Sequence, residues 1–294
     1  MQSERFLRIS RLLGDDIVES LHRKFVVIVG MGAVGGYALE ALVRSGIGRL
    51  RLVDFDTVSI TNLNRQLLAL ESTIGRSKVE VARERALDIN PDIEVETMNL
   101  FAHEQTLPQI LDGAPDLVID AIDSLNPKCA LLQGTYNRGI PIISSMGAAL
   151  RREPALVRTG DLMDTWGCPL AKQVRTNLRK RGVGRGIEVV FSPELVRYTY
   201  RDPEQEEHAD FNEQIIDRGR RRNVLGSLPT ITGIFGLTLA HLALDRLIGG
   251  DNLHGEAAWN PPTRAKPDAI FRRQCNTIDG TTLTESAEPE ATFR

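Results

Sequence analysis

Residues 25–35 read FVVIVGMGAVG, and their order decides the fold class. Five consecutive apolar, mostly β-branched residues are the pattern of a parallel strand buried on both faces. The glycines after them, Gly30, Gly32 and Gly35, satisfy GxGxxG at a strand-to-helix junction. Glycine lets backbone N–H groups approach phosphate oxygens, and a helix that begins there adds its free N–H groups and its dipole. The spacing predicts that helix over 33–44, with Val34, Leu39, Leu42 and Val43 on its apolar side, and a second strand over 50–54 (LRLVD). Strand, helix and strand in so short a span form the first half of a doubly wound unit.

The alternation continues outward. Helices are predicted over 77–89, 104–111 and 127–137, and strands over 93–98, 116–121 and 141–145. The class is α/β, a doubly wound Rossmann-like sheet. Residues 24–150 read as a nucleotide-binding part. Beyond them, 151–248 carry a helix over 169–180, a strand over 187–191, a charged loop over 200–222 and an apolar helix over 230–248, and read as a substrate-facing part. Residues 249–294, rich in Pro, Thr and Glu, read as an extended, flexible tail.

A chain of 294 residues, 41% hydrophobic and 26% charged, is large enough to close a core without disulfides or a structural metal. Cys129, Cys168 and Cys275 are scattered, which argues against a disulfide framework and against a CxxC zinc knuckle. Cys129 reads as core, and none of the three has the neighbours of a reactive thiolate. His22, His103, His208, His241 and His254 show no metal-ligand spacing, and His241 reads as a core residue of its helix. Residues 1–14 are charged throughout and lack the apolar run of a signal peptide. The most apolar stretch, 224–248, is interrupted by Pro229, glycines, His241 and Asp245, so it reads as a buried helix and not a span. The expectation is a cytoplasmic protein with no membrane partner. Net charge is −3, yet Lys172 to Arg201 holds eight basic side chains against Glu188 and Glu194. That segment is a candidate anion-facing surface, although a solvated helix face has the same composition.

Asp54 ends the second strand, where a carboxylate accepts hydrogen bonds from ribose hydroxyls, so a dinucleotide is the first reading. The residues after Asp54 do not suit NAD. Asp56, Asn62, Arg65, Gln66 and Lys78 crowd the next turns, and an Arg with a Lys beside a phosphate turn can neutralise a triphosphate. Asp120 and Asp123 end the strand DLVIDAID at the carboxyl edge of the sheet, where such folds bind ligands, and Asp123 is placed to hold Mg2+.

Together GMGAVGG (30–36), LVDFDTVSITNLNRQ (52–66), GRSK (75–78) and VIDAIDS (118–124) resemble the ThiF/MoeB superfamily of ubiquitin-activating-like adenylating enzymes, over roughly residues 5–248. The lead-in RFLRISRLLG (5–14), DAIDSLNPKCALL (120–132) and GSLPT (226–230) are similar to the tRNA threonylcarbamoyladenosine dehydratase branch. The resemblance implies ATP and Mg2+ as cofactors, with Asp54 on the ribose, Asn62, Arg65, Lys78 and Asp123 around the phosphates, and Arg11 reaching the neighbouring site of a homodimer. It also implies tRNA as substrate, carboxylate adenylation as chemistry, a bound monovalent cation and sulfur-pathway partner proteins. Cys168 stands where that branch more often has Asp. An adenylyltransferase for a ubiquitin-like sulfur carrier would use the same nucleotide site, and the zinc-binding CxxC pairs of many such enzymes are absent.

Overall fold

In the computed structural model the described residues are 4–196 and 225–249, and all of them fall within one compact unit. In chain order the elements are α1 (Leu7–Leu13), α2 (Asp15–His22), β1 (Phe25–Val29), α3 (Gly35–Arg44), β2 (Arg49–Val53), α4 (Lys78–Ile89), β3 (Glu94–Met98), α5 (Leu107–Ile110), β4 (Leu117–Asp120), α6 (Leu125–Asn137), β5 (Ile142–Ser145), β6 (Arg158–Asp161), α7 (Pro169–Lys180), β7 (Glu188–Phe191) and α8 (Pro229–Ile248). The strands form one sheet in the order β3-β2-β1-β4-β5-β7-β6, parallel except for β6, which runs antiparallel to β7. The order reverses between β1 and β4, and the carboxyl ends at that switch point are where such sheets bind ligands.

All five residues of β1 are buried, as a run of β-branched residues requires when helices cover both faces. Val26 and Ile28 point into one core with Leu39 and Leu42 of α3 and Phe235 and Leu239 of α8. Val27 and Val29 point into the other with Leu131 and Leu132 of α6 and Val174 and Leu178 of α7. Helix α8 is long and apolar enough to cross a membrane by length and composition. It instead packs on α3 and on strands β4, β5 and β7. Gly236 permits this close approach, since a Cβ there would lie 2.4 Å from the Val34 carbonyl oxygen.

Two expectations need correcting, the helix over 104–111 and the place of His241, and two sets of elements are additions. The helix expected over 104–111 shrinks to Leu107–Ile110, because the His103 ring Nδ1 accepts the N–H groups of Gln105 and Thr106 and closes a turn first. Strand β6 was not visible in RTGD, a short edge strand with no apolar alternation. The N-terminal helices α1 and α2 are additions to the elements expected from the sequence, and α2 buries Val18 and Leu21. His241 lies on the exposed side of α8, not in the core. The charged stretch 200–222 and the tail beyond Gly249 lie outside the described residues.

Residues 150–153 grip both chain ends that flank residues 197–224. The Leu150 N–H donates to Gly226 O at 2.8 Å. The N–H groups of Arg152 and Glu153 donate to the Glu194 carboxylate at 3.0 and 3.1 Å, and buried Arg151 donates to the Glu194 carbonyl.

Candidate active site

The glycine turn sits on the switch point. Gly30 has φ +98°, and a Cβ there would lie 2.8 Å from the Ala121 carbonyl at the end of β4. At Gly35 a Cβ would lie 1.8 Å from Gly30 O, so the helix can begin only with glycine. Gly32 differs: a Cβ would meet only Gln66 Nε2 at 4.0 Å, so nothing within the chain crowds that position. The open side of the turn is a cradle that a side chain would fill.

Asp54 fastens this turn from below. Its carboxylate accepts the Met31 N–H at 2.6 Å and the Asp56 N–H at 2.9 Å. Each carboxylate oxygen has a second lone pair, so hydrogen-bonding capacity is left for a ribose. Asp56 pairs with Lys78 at 3.0 Å, and the Lys78 N–H donates to the Asp56 carbonyl. Lys78 opens α4 and is buried, 3% exposed. Burial pushes the Asp56 carboxyl up from its ordinary value, Asp54 and Asp123 push the same way, and Lys78 opposes them. Asp54 and Asp123 thus lie on the same side of the sheet edge as the Asp56–Lys78 pair, with Asp123 exposed at the rim, where it accepts the Ser124 hydroxyl at 3.0 Å.

The segment 59–66 closes the other side. Asn62 is fully buried, and its Oδ1 accepts the Ser59 N–H at 3.2 Å, capping the turn Ile60–Asn62. The Gln66 N–H returns to Asn62 O at 2.9 Å, which aims the Gln66 side chain at Gly32. Arg65 is half-buried, and its guanidinium donates to Thr61 O at 2.8 Å and Asn64 Oδ1 at 3.0 Å. Gly30, Gly32, Gly35, Asp54, Asp56, Asn62, Arg65, Gln66, Lys78 and Asp123 are thus brought together. Arg11 is not: it is exposed on α1, a helix with no buried residue, and makes no hydrogen bond or ion pair among the described residues. No three His, Cys, Asp or Glu side chains among the described residues group as metal ligands. A divalent ion here would be held by one or two carboxylates with phosphate and water, which is the usual manner of Mg2+.

Asp120 is corrected. It does not face ligand but is wholly buried, with Oδ2 accepting Lys128 Nζ and Ser144 Oγ, each at 2.5 Å, and Oδ1 accepting the Ile122 N–H at 3.0 Å. Lys128, also 0% exposed, donates further to Ser145 O at 2.8 Å. Sequence reasoning missed this lysine; its signal was a lone cation between Pro127 and Cys129 on an otherwise apolar helix. Cys129 is buried core as expected, and burial raises its thiol. Cys168 is buried too and caps α7, its Sγ accepting the Ala171 N–H.

The basic segment divides. On α7, Lys172, Arg179 and Lys180 are exposed with no partner among the described residues. Arg175 is committed inward, donating to Thr165 O at 2.7 Å, and Arg185 pairs with Asp164. Arg181 donates to Gln133 at 3.2 Å. Arg197 and Arg201 lie outside the described residues.

A profile of the ThiF family matches residues 4–275. The tRNA threonylcarbamoyladenosine dehydratase of Bacillus subtilis is 45% identical over 190 residues, covering 65% of this chain and 75% of that protein. The crystal structure of the Escherichia coli tRNA N6-threonylcarbamoyladenosine dehydratase in complex with ATP matches with TM-score 0.73 and 32% identity, covering 86% of this chain and 97% of that one. The molybdopterin-synthase adenylyltransferase of Salmonella typhimurium is 38% identical, but over only 46% of this chain and 53% of its own. With the glycine turn, the paired Asp56 and Lys78 and the sheet order all in place, the chain belongs to the ThiF family, in the branch of the tRNA threonylcarbamoyladenosine dehydratases.

Proposed function

We infer that the protein dehydrates threonylcarbamoyladenosine in tRNA, using ATP to adenylate the threonyl carboxylate. The observation that carries this is the convergence of Asp54, Asp56, Lys78 and Asp123 on an open glycine turn in a fold whose relative is seen with ATP. A carboxylate is a poor acyl donor because oxide would have to leave. Its attack on the ATP α-phosphorus releases pyrophosphate and gives an acyl adenylate, whose leaving group is AMP. The neighbouring carbamoyl nitrogen or oxygen then attacks the acyl carbon, expelling AMP and closing a ring, so the nucleoside has lost one water. Tethering makes this closure fast through high effective molarity. No covalent bond to the enzyme is needed, in keeping with two buried, unreactive cysteines among the described residues.

In this reading the turn that Gly30, Gly32 and Gly35 build receives the phosphates against its backbone, the Gly30 N–H itself staying on Val53 O, Asp54 takes the ribose, and Lys78, Arg65, Asn62 and Gln66 hold the charge that develops at phosphorus. Asp123 would hold Mg2+, which would draw charge from the phosphate oxygens, with the Asp56–Lys78 pair beside it. Residues 24–150 supply the nucleotide site and 151–248 face the tRNA. The protein works in the cytoplasm as a homodimer in which Arg11 completes the neighbour's site. Exposed Leu7 and Leu12 on α1, Ile60 and Leu70 beside the site and Leu237 on α8 support an apolar contact with a second copy. A monovalent cation and sulfur-pathway partners belong to the same reading.

The test is mass spectrometry of nucleosides from tRNA carrying threonylcarbamoyladenosine after incubation with protein, ATP and Mg2+. Loss of one water, abolished in Asp123→Ala, is the expected result. An unchanged mass with ATP-binding protein would transfer the activity to a sulfur carrier, to be checked by pyrophosphate exchange.

A further inference from the structure

Trp166 is 58% exposed, yet nothing about it is loose. Before it, Thr165 is buried and receives Arg175 from α7, and its own N–H and hydroxyl both donate to Leu162 O. After it, Gly167 has φ +68°, and a Cβ there would lie 2.4 Å from Pro193 O. The indole itself meets Phe191, the last residue of β7, edge to face at 5.1 Å. A large aromatic surface is therefore held rigidly toward solvent at the carboxyl edge of the sheet. A lone exposed aromatic is ordinary on a protein surface; this one is set apart by a fixed ring with a face open to something that stacks on it.

Its position suggests what does. Strand β7 lies two places from β4 in the sheet, about 10 Å at ordinary strand spacing, so Trp166 stands along the same edge as Asp123. The arm between an adenine ring and a threonyl carboxylate is five or six bonds of about 1.4 Å, roughly 7 Å end to end, so the modified base or its neighbour reaches this part of the edge. Helix α7 begins just after the indole and carries the unpaired Lys172, Arg179 and Lys180. An aromatic face beside a line of free cations is the arrangement that binds unpaired nucleotides.

We propose that Trp166 is a stacking platform for an unpaired nucleobase of the RNA substrate, in or next to the modified adenosine, with the α7 cations on the adjoining phosphates. The proposal rests on the tRNA reading above. The chain has two tryptophans, so Trp259→Phe leaves Trp166 as the only reporter. That variant is titrated with an anticodon stem-loop RNA, with a fully paired RNA duplex and with inorganic polyphosphate. Stacking predicts quenching by the stem-loop alone. Trp166→Ala should raise the KM for tRNA by roughly 5- to 150-fold, the range of one aromatic–base stack, while leaving the Kd for ATP and the Tm near those of the parent, and Trp166→Phe should restore most of it. Equal quenching by duplex or polyphosphate, or an unchanged KM in Trp166→Ala, overturns the platform. So does free-protein emission already shielded from acrylamide, which would mean that another segment of this chain covers the ring. If tRNA is dehydrated while the emission stays unmoved, only the platform falls; if the parent neither binds nor dehydrates tRNA, the underlying reading falls with it.

Discussion

Lys128 keeps its ammonium with no surface in water, and four groups share the task of holding it and its partner: Asp120, Ser144, the Ser145 carbonyl and the Ile122 N–H. Removing one member of a buried ion pair leaves the other uncompensated, at about 3–5 kcal/mol. Lys128→Met should lower the urea midpoint accordingly, and Lys128→Met combined with Asp120→Asn should recover part of the loss. Additive losses in the double variant would refute the pairing. Asp56 makes a second prediction. Its native carboxyl is raised above the ordinary 3.8 by burial. Below that ordinary value both folded and unfolded chains hold the proton. As pH rises, the unfolded chain releases it first, so stability is lost through the raised native value. Thermal unfolding across this window should show the wild type losing ground to Asp56→Asn as pH rises; parallel profiles would contradict it.

At the level of elements, the three turn glycines serve different ends. Gly30→Ala must strain a left-handed φ and strike the Ala121 carbonyl, so it should destabilise the protein and abolish ATP binding together. Gly32→Ala meets no protein atom closer than 4.0 Å, so its Tm should hold while its Kd for ATP rises tenfold or more. Calorimetry and nucleotide titration of the pair separate a structural glycine from a ligand-facing one. Helix α7 yields a further test. Lys172→Glu, Arg179→Glu and Lys180→Glu together should weaken tRNA binding and flatten its salt dependence, by a slope of roughly one per lost phosphate contact, with the ATP Kd unmoved. Arg175 is unsuited to that set, since its reversal would break the Thr165 contact. These elements were legible to different degrees. Strands β1 and β4 could be read to within a residue or two because each is a continuous apolar run ended by a glycine or an aspartate, and helix α3 because apolar residues recur at helical spacing. Strand β6 could not, because an edge strand with one covered side writes little into its sequence.

For the molecule as a whole, the fold draws on residues from five stretches that the chain spaces from 30 to 123, the same residues that the motifs and the family resemblance single out. What spacing could not show is the division of labour among neighbours. Asp120 and Asp123 look alike in sequence, yet one is sealed in the core and the other stands at the rim, because the strand ends between them. Arg11 is the remaining outlier. Mixing Arg11→Ala subunits with Lys78→Ala subunits should restore a fraction of the activity, since one of the two sites in a mixed dimer would be intact; no recovery at any ratio would confine Arg11 to its own chain.

The grip of residues 150–153 on Glu194 and Gly226 also bears on engineering. Both chain ends that flank 197–224 are clamped to one short segment, so the anchor points of that stretch are fixed by residues 150–153 and not by the stretch itself. Each doubling of a flexible insert adds only about 0.6 kcal/mol of closure cost. A reporter domain spliced between those clamps would leave the catalytic scaffold standing.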